Sequence, residues 1–279
     1  GGFVLDVNET PDPEEFEDAY MRYANARVCP PRPAEKTYRV RGTQEPFYTL
    51  NVIDGIMSVS AVQKVAKQYQ ASITEYLNAV LLYSLLQKQE HDFHLRLRPV
   101  RIAMPVNLRR FFPSKTLRNF ITMVYPSIDP RLGDYTFEEI VTQVHHYMRY
   151  YINSKFLRGD ITTNASTQRN PLIRIVPLFL KDFVVRQFYQ RVQDKNSSAG
   201  LTNMGAIRVP DDMKPYLERF DIYMGIPYSQ RTNCAIVSFE DTLTVNFASC
   251  IIEADVERRF FQKLVEDGIP VTIESNREL

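Results

Sequence analysis

The chain has 279 residues, 44% hydrophobic and 24% charged, with 16 Tyr, 17 Phe and no Trp. This composition supplies a real core for one large or two small domains and excludes a largely disordered chain. A net charge of +1 excludes a global field toward nucleic acid or anionic membrane.

The N-terminal stretch opens as a loop, and Asp12, Pro13 and Glu15 then predict a helix to about Arg27, with Asp as N-cap and Pro in the first turn. Pro30, Pro31 and Pro33 follow as a stiff connector. Alternation over Tyr38–Arg41 predicts a strand, and Phe47–Val59 a longer one. Ser60–Gln70 carries Val62, Val65, Ala66 and Tyr69 on one helical stripe, and Ser72 with Glu75 makes a capping box before an apolar helix to about Lys88. Arg98–Val106 and Ile121–Ile128 read as buried strands. Thr136 and Glu139 open a helix with Phe137, Val141, Val144, Met148 and Ile152 along one face, and a further helical stretch is expected from about Thr163 to Gln193, broken near Pro171 and Pro177. The last third predicts strands at Ala199–Val209, Phe220–Pro227, Asn233–Phe239 and Leu243–Cys250, the last two as an antiparallel hairpin. A helix over Asp255–Glu266, stopped by Gly268, and a strand at Val271–Glu274 complete the order. Interleaved helices and antiparallel pairs predict an α/β sandwich around a mixed sheet.

The longest apolar stretches, Leu77–Leu86 and Pro171–Leu180, are about half of what spans a bilayer. Cys29, Cys234 and Cys250 have no C-x-x-C spacing, which argues against a zinc ribbon or a disulfide framework. With no signal peptide expected, a cytoplasmic setting is the reading. His91 and His94 fall in a polar loop without further ligands at metal-binding spacing. The sequence holds no G-x-S-x-G elbow, Walker loop or G-x-G-x-x-G. Cys234 and Cys250 read as core residues, and the acidic pairs Glu14-Glu15, Glu138-Glu139 and Asp211-Asp212 as helix starts. One electrostatic asymmetry stands out. Between Asp92 and Asp129 lie Arg96, Arg98, Arg101, Arg109, Arg110, Lys115 and Arg118 and no acidic residue. They suit solvent-facing strand positions or a docking surface for phosphate groups on a coenzyme or carrier-protein arm.

The run Val100-Arg101-Ile102-Ala103-Met104-Pro105-Val106-Asn107-Leu108-Arg109-Arg110, followed by Leu117-Arg118-Asn119-Phe120, resembles a signature of the chloramphenicol acetyltransferase-like superfamily. Its members carry a strand ending Pro-Val-(Asn/Asp)-x-Arg and then Gly-Asn-(Phe/Tyr); here Arg118 replaces that Gly. Leu201-Thr202-Asn203-Met204-Gly205 is similar to the superfamily's Ser/Thr-Asn-x-Gly strand, and Phe220–Pro227 and the Asn233–Cys250 hairpin follow in its order. The likeness spans residues 38–279 and is nearest to bacterial proteins described as alcohol acetyltransferases or condensation-like.

The resemblance implies a two-layer sandwich, a mixed, largely antiparallel sheet flanked by helices. It also implies direct acyl transfer from a thioester at a tunnel between two halves, with a His-His-x-x-x-Asp-Gly histidine as base. His145-His146 imitates that motif, but Tyr150 and Tyr151 stand where Asp and Gly belong. The expectation is therefore that the catalytic motif precedes residue 1. Residues 1–37 would then be a helix and Pro-rich connector from the other half, and residues 38–279 the C-terminal half, inactive alone. Thr202 and Asn203 would hold an oxyanion or acyl carbonyl, or serve sheet-edge hydrogen bonds. Asn107, Arg109 and Asn119 match motif positions for substrate or coenzyme A binding, or bind loop carbonyls. Asp221 is read as a partner for Arg109 or Arg219. No permanently bound cofactor is expected; acyl-CoA is the implied co-substrate, with a small alcohol or amine as acceptor. A carrier-protein donor, a homo-oligomer and a non-catalytic interaction module stay open as alternatives, and no nucleic-acid partner or membrane span is expected.

Overall fold

The computed structural model describes residues 10, 12–24, 36–46, 49–92, 96–169, 196–227 and 230–277. Local chemistry sets the helices. Ser72 caps α3 (Ile73–His91) and Thr136 caps α4 (Phe137–Tyr151), each through a complete capping box with Glu75 or Glu139. The helix α3 is buried along most of its circumference, with Tyr76, Leu77, Leu81, Leu82 and Leu85 sealed from solvent. Each such side chain contributes about 1.5–3 kcal/mol. Around it stand α2 (Val59–Gln68), α4 and α6 (Asp255–Glu266), with α1 (Ala19–Tyr23) and α5 (Ser154–Arg169) against one another at one end. No described helix is long and apolar enough to cross a membrane.

Eight strands form one mixed sheet: β1 (Asn51–Ser58), β2 (Val100–Asn107), β3 (Ile121–Val124), β4 (Ser127–Ile128), β5 (Ala199–Ala206), β6 (Thr232–Phe239), β7 (Thr242–Ser249) and β8 (Thr272–Ser275). The order is β3-β2-β5-β6-β7-β1-β8, with β4 also on β2; β2, β5 and β6 run parallel and the other pairs antiparallel. The result is the expected helix-flanked, largely antiparallel α/β sandwich.

Register divides the sheet into two faces. Leu201, Cys234, Phe247 and Ile53 form one cross-strand row, and Phe247 meets Phe260 and Phe261 of α6 at 5.1 and 5.6 Å. That face carries the helices. Gly55 is required there, because a Cβ would land inside the Phe261 ring. One residue further on, Thr202, Ala235, Asn246, Asp54 and Glu274 form a row that faces the other way.

Several elements differ from the sequence expectation. The helix from Asp12 breaks into a 3-10 turn, Pro13–Phe16, and α1, because Asp18 spends its carboxylate capping a second start at Tyr20; residues 25–27 lie outside the described residues. Tyr38–Arg41 belongs to no strand of the sheet: the Tyr38 amide donates to Pro99, which has no N–H to return. The strand expected over 121–128 divides at Pro126, whose carbonyl takes the Ile102 amide. His91 ends α3 instead of sitting in a loop. The expected helix from Thr163 begins earlier, at Ser154, and its portion beyond residue 169 lies outside the described residues, as do Cys29 and His94.

Phe220–Pro227 is the most informative difference. It lies across the sheet's second face, not at an edge. Its backbone is held by strand side chains: Thr244 Oγ1 donates to Phe220 O (2.8 Å), Ile222 N donates to Asn246 Oδ1 (3.2 Å), and Asn233 Nδ2 donates to Gly225 O (3.0 Å).

Candidate functional site

Parallel β2 and β5 end at the same edge of the sheet, and the carboxyl edge of parallel strands is where open α/β sheets commonly bind ligands. The sequence candidates lie on these two strands and on the loop after β2. At the end of β2, exposed Asn107 accepts the Arg109 amide at 3.0 Å and caps a 3-10 turn, Leu108–Arg110. Arg109 then folds over the following loop. Its Nε and Nη2 donate to Thr116 O (3.2 and 2.6 Å), and Nη2 also to Arg118 O (2.6 Å).

The loop is fixed from its other side by residues 12–17. Thr116 Oγ1 donates to Glu17 O (2.7 Å), Leu117 N to Glu15 O (2.9 Å), and Lys115 Nζ pairs with Asp12 and Glu14 at 2.8 and 3.2 Å. Buried Phe112 and Phe120 anchor it against Tyr23 and Tyr20. Asn119, Arg110 and Arg118 are left exposed on this edge.

On β5, Asn203 Nδ2 donates to Thr74 Oγ1 at the start of α3 (2.8 Å), and Asn203 Oδ1 accepts the Gly205 amide (2.8 Å). Pairing with β6 breaks between Asn203 and Ala206, and Gly205 has φ +76°. This is a glycine bulge that turns the strand end outward. Asn203 is thus committed to shaping the bulge. Thr202 keeps a half-buried hydroxyl on the second face, with no hydrogen bond among the described residues.

Beside Thr202 on that face lies a polar cluster that the sequence reading did not single out. Asn246 Nδ2 donates to both Asp54 Oδ1 (2.8 Å) and Asp221 Oδ1 (3.0 Å), and Tyr223 OH donates to Asp54 Oδ2 (2.8 Å). Arg219 pairs with Asp221 at 2.9 Å and Glu274 at 2.5 Å. Of the two partners open to Asp221, Arg219 is the one it takes. Burial, then the Asp54 carboxylate, pushes the Tyr223 hydroxyl above its ordinary range. Every group here is satisfied internally, so the cluster fastens residues 219–225 to the sheet. Its signal was available: Thr244 and Asn246 alternate with Leu243, Val245 and Phe247 in β7, which marks a strand with a polar inner face.

The paired histidines lie elsewhere. His145 Nδ1 is 3.2 Å from Glu75 Oε1, while Glu75 Oε2 accepts the Ser72 amide at 2.7 Å to close the α3 capping box. His146 is exposed, and α4 continues through Tyr151 without a turn. An open groove of about 650 Å³ follows α4 past His146, Tyr147 and Tyr150. It lies toward the amino end of β2, since Gln143 on its wall donates to Ser127 O and β4 pairs with the start of β2. Among the described residues no cluster suits a metal ion. Cys234 is sealed in β6, and burial raises its thiol out of the reactive range.

No protein-family model matches this sequence, and no curated protein matches it. Its likeness to solved structures is clear. A trichothecene 15-O-acetyltransferase from Fusarium sporotrichioides superposes with a TM-score of 0.53 at 15% identity, over 95% of this chain and 54% of its own. A condensation domain that mediates chain release from the enacyloxin polyketide synthase gives 0.50 at 13% identity, over 84% and 44%. The chain has the chloramphenicol acetyltransferase-like fold. A wax ester synthase/diacylglycerol acyltransferase from Marinobacter aquaeolei VT8 shares it at TM-score 0.50 and 10% identity, over 90% of this chain and 56% of that one. The chain spans about half the length of these structures. Within this fold β2 and β5 run parallel, so the Pro-Val-Asn-x-Arg end of β2 and the Thr-Asn-x-Gly end of β5 point the same way.

Proposed function

We propose that this chain forms one wall of the reaction tunnel of an acyltransferase, which moves an acyl group, acetyl foremost, from a coenzyme A thioester to an alcohol or amine. The observation that carries this reading is that the two motif strands pair in parallel, Ile102 and Ala103 with Ala199 and Gly200, and so carry their motif ends toward the same side of the sheet, in a fold shared with an acetyltransferase and a condensation domain. Residues 38–279 act as the C-terminal half, and the base is a histidine of a His-His-x-x-x-Asp-Gly segment outside these 279 residues.

In this scheme the base takes the acceptor's proton as its oxygen or nitrogen attacks the thioester carbonyl. The tetrahedral oxyanion collapses with loss of the CoA thiolate, which takes up the proton. Thr202 is the oxyanion donor, because its hydroxyl is the uncommitted one on the motif strand. Losing one such donor costs about 10²–10³ in kcat, so Thr202→Val lowers kcat by about that factor and Thr202→Ser retains most of it. The test is thiol release from acetyl-CoA by the natural full-length protein across a panel of alcohols and amines. No turnover with any acceptor overturns the reading.

A second reading rests on the shared fold with a condensation domain: a donor acyl group borne on a carrier protein. Turnover of an acyl-carrier with none of free acyl-CoA selects it.

A further inference from the structure

The seven cations between Asp92 and Asp129 do not act as one surface. Arg109 is spent on the carbonyls of Thr116 and Arg118, and Lys115 is neutralised by Asp12 and Glu14. What remains on the carboxyl edge is Arg110 and Arg118, both exposed and without an ion pair among the described residues.

Their spacing is set by Arg109. Its backbone adjoins Arg110 and its guanidinium holds the Arg118 carbonyl at 2.6 Å. The two free guanidiniums therefore spring from points joined by a single side chain. Leu117, 70% exposed, directly precedes Arg118. Two planar forks and an exposed apolar side chain on one clamped loop match phosphates next to a flat base. The loop is clamped on both sides, so little ordering is lost on binding.

We propose that Arg110 and Arg118 seat the phosphates at the nucleotide end of the acyl donor, coenzyme A, with Leu117 against its adenine. This rests on the acyl-transfer reading for the identity of the donor. A nucleotide fits the patch better than a carrier protein does. Two guanidiniums and one leucine on a single loop are the scale of a nucleotide, whereas stable protein docking needs roughly 800 Å² per partner.

The experiment compares Arg110→Ala, Arg118→Ala and the double variant with the natural full-length protein, using acetyl-CoA, its 3′-dephospho form and acetyl-pantetheine as donors. Calorimetric titration of free CoA runs alongside. Each single change raises KM for acetyl-CoA about tenfold and weakens CoA binding equally, with kcat unchanged. Acetyl-pantetheine, which lacks the nucleotide, shows no difference among the proteins. The CoA effect shrinks with added salt.

An unchanged KM in the double variant, with turnover intact, overturns the proposal and leaves acyl transfer standing. A protein that turns over no donor yet loses CoA binding in the double variant keeps the phosphate seat and discards acyl transfer. If the double variant loses turnover of a carrier-borne acyl group but not CoA binding, the patch docks a carrier and the proposal fails.

Discussion

Asn246 offers the sharpest test of how the second face is held. It is 1% exposed, and Asn246→Ala removes the donors to Asp54 and Asp221 and the acceptor for the Ile222 amide. Hydrogen bonds to charged groups contribute about 1.5–3 kcal/mol each and a neutral one about 1. The Asp221 bond is discounted, because its carboxylate is partly solvated through Arg219. Asp54, 6% exposed, keeps only the Tyr223 hydroxyl as a side-chain partner among the described residues. The expected loss is about 4 kcal/mol. Urea denaturation followed by circular dichroism reads this as a midpoint lowered by roughly 1.5 M at unchanged slope. A loss below about 1 kcal/mol would refute the claim that this amide fastens residues 219–225. Tyr223→Phe, which removes one bond from a half-exposed hydroxyl, costs about 1 kcal/mol, and its effect is non-additive with that of Asn246→Ala through their shared partner Asp54.

Two further stability outcomes follow from particular contacts. Gly55→Ala forces a methyl into the Phe261 ring and lowers stability by about 1–3 kcal/mol; thermal unfolding of Gly55→Ala with Phe261→Leu shows recovery if that clash is the cause, and none if strand conformation is. Glu257, 1% exposed and bonded to Thr232 at 2.7 Å, has its carboxyl pushed up by burial from the usual 4.5. Its protonated form therefore favours the folded state: that contribution is complete below about pH 4.5 and is lost as pH rises through the folded value. Glu257→Gln, which can still accept from Thr232, is more stable than the natural protein at pH 7.5, and the gap closes toward pH 4; a gap independent of pH defeats the explanation.

What could be read in advance was whatever depends on neighbours close in sequence. The Ser72–Glu75 and Thr136–Glu139 boxes, the stripe of α2 and the β6–β7 hairpin are local arrangements. Residues 219–227 have the composition of a strand, but their backbone partners are side chains of Asn233, Thr244 and Asn246, already committed to a sheet. No periodicity in this segment reports that β6 and β7 are each already flanked by strands on both sides. The candidate site divides the same way. The Arg109 clamp spans a separation of only nine, from Arg109 to Arg118, and was legible as a loop-binding option. The bulge at Asn203 depends on Thr74, 129 residues away, and the Asp54–Asn246 contact on a separation of 192.

The fastening cluster and the motif strand are mechanically one object. Thr202, Ala235, Asn246 and Asp54 are successive members of a single row, and residues 219–225 run over that row toward β5. At the near end, Asn233 grips Gly225 O and also accepts the Gly200 amide at 2.7 Å. A Cβ on Gly200 would meet Asn233 Oδ1 at 2.9 Å and Met224 Cε at 3.4 Å. Glycine two residues before Thr202 thus lets the overlying segment close on β5 while the small Ala235 keeps the row level beside it. The polar cluster therefore draws residues 219–225 down on the sheet face that also carries Thr202. Asp54 and Asn246 thereby gain a reason to be polar in a strand pair where apolar residues would pack more cheaply.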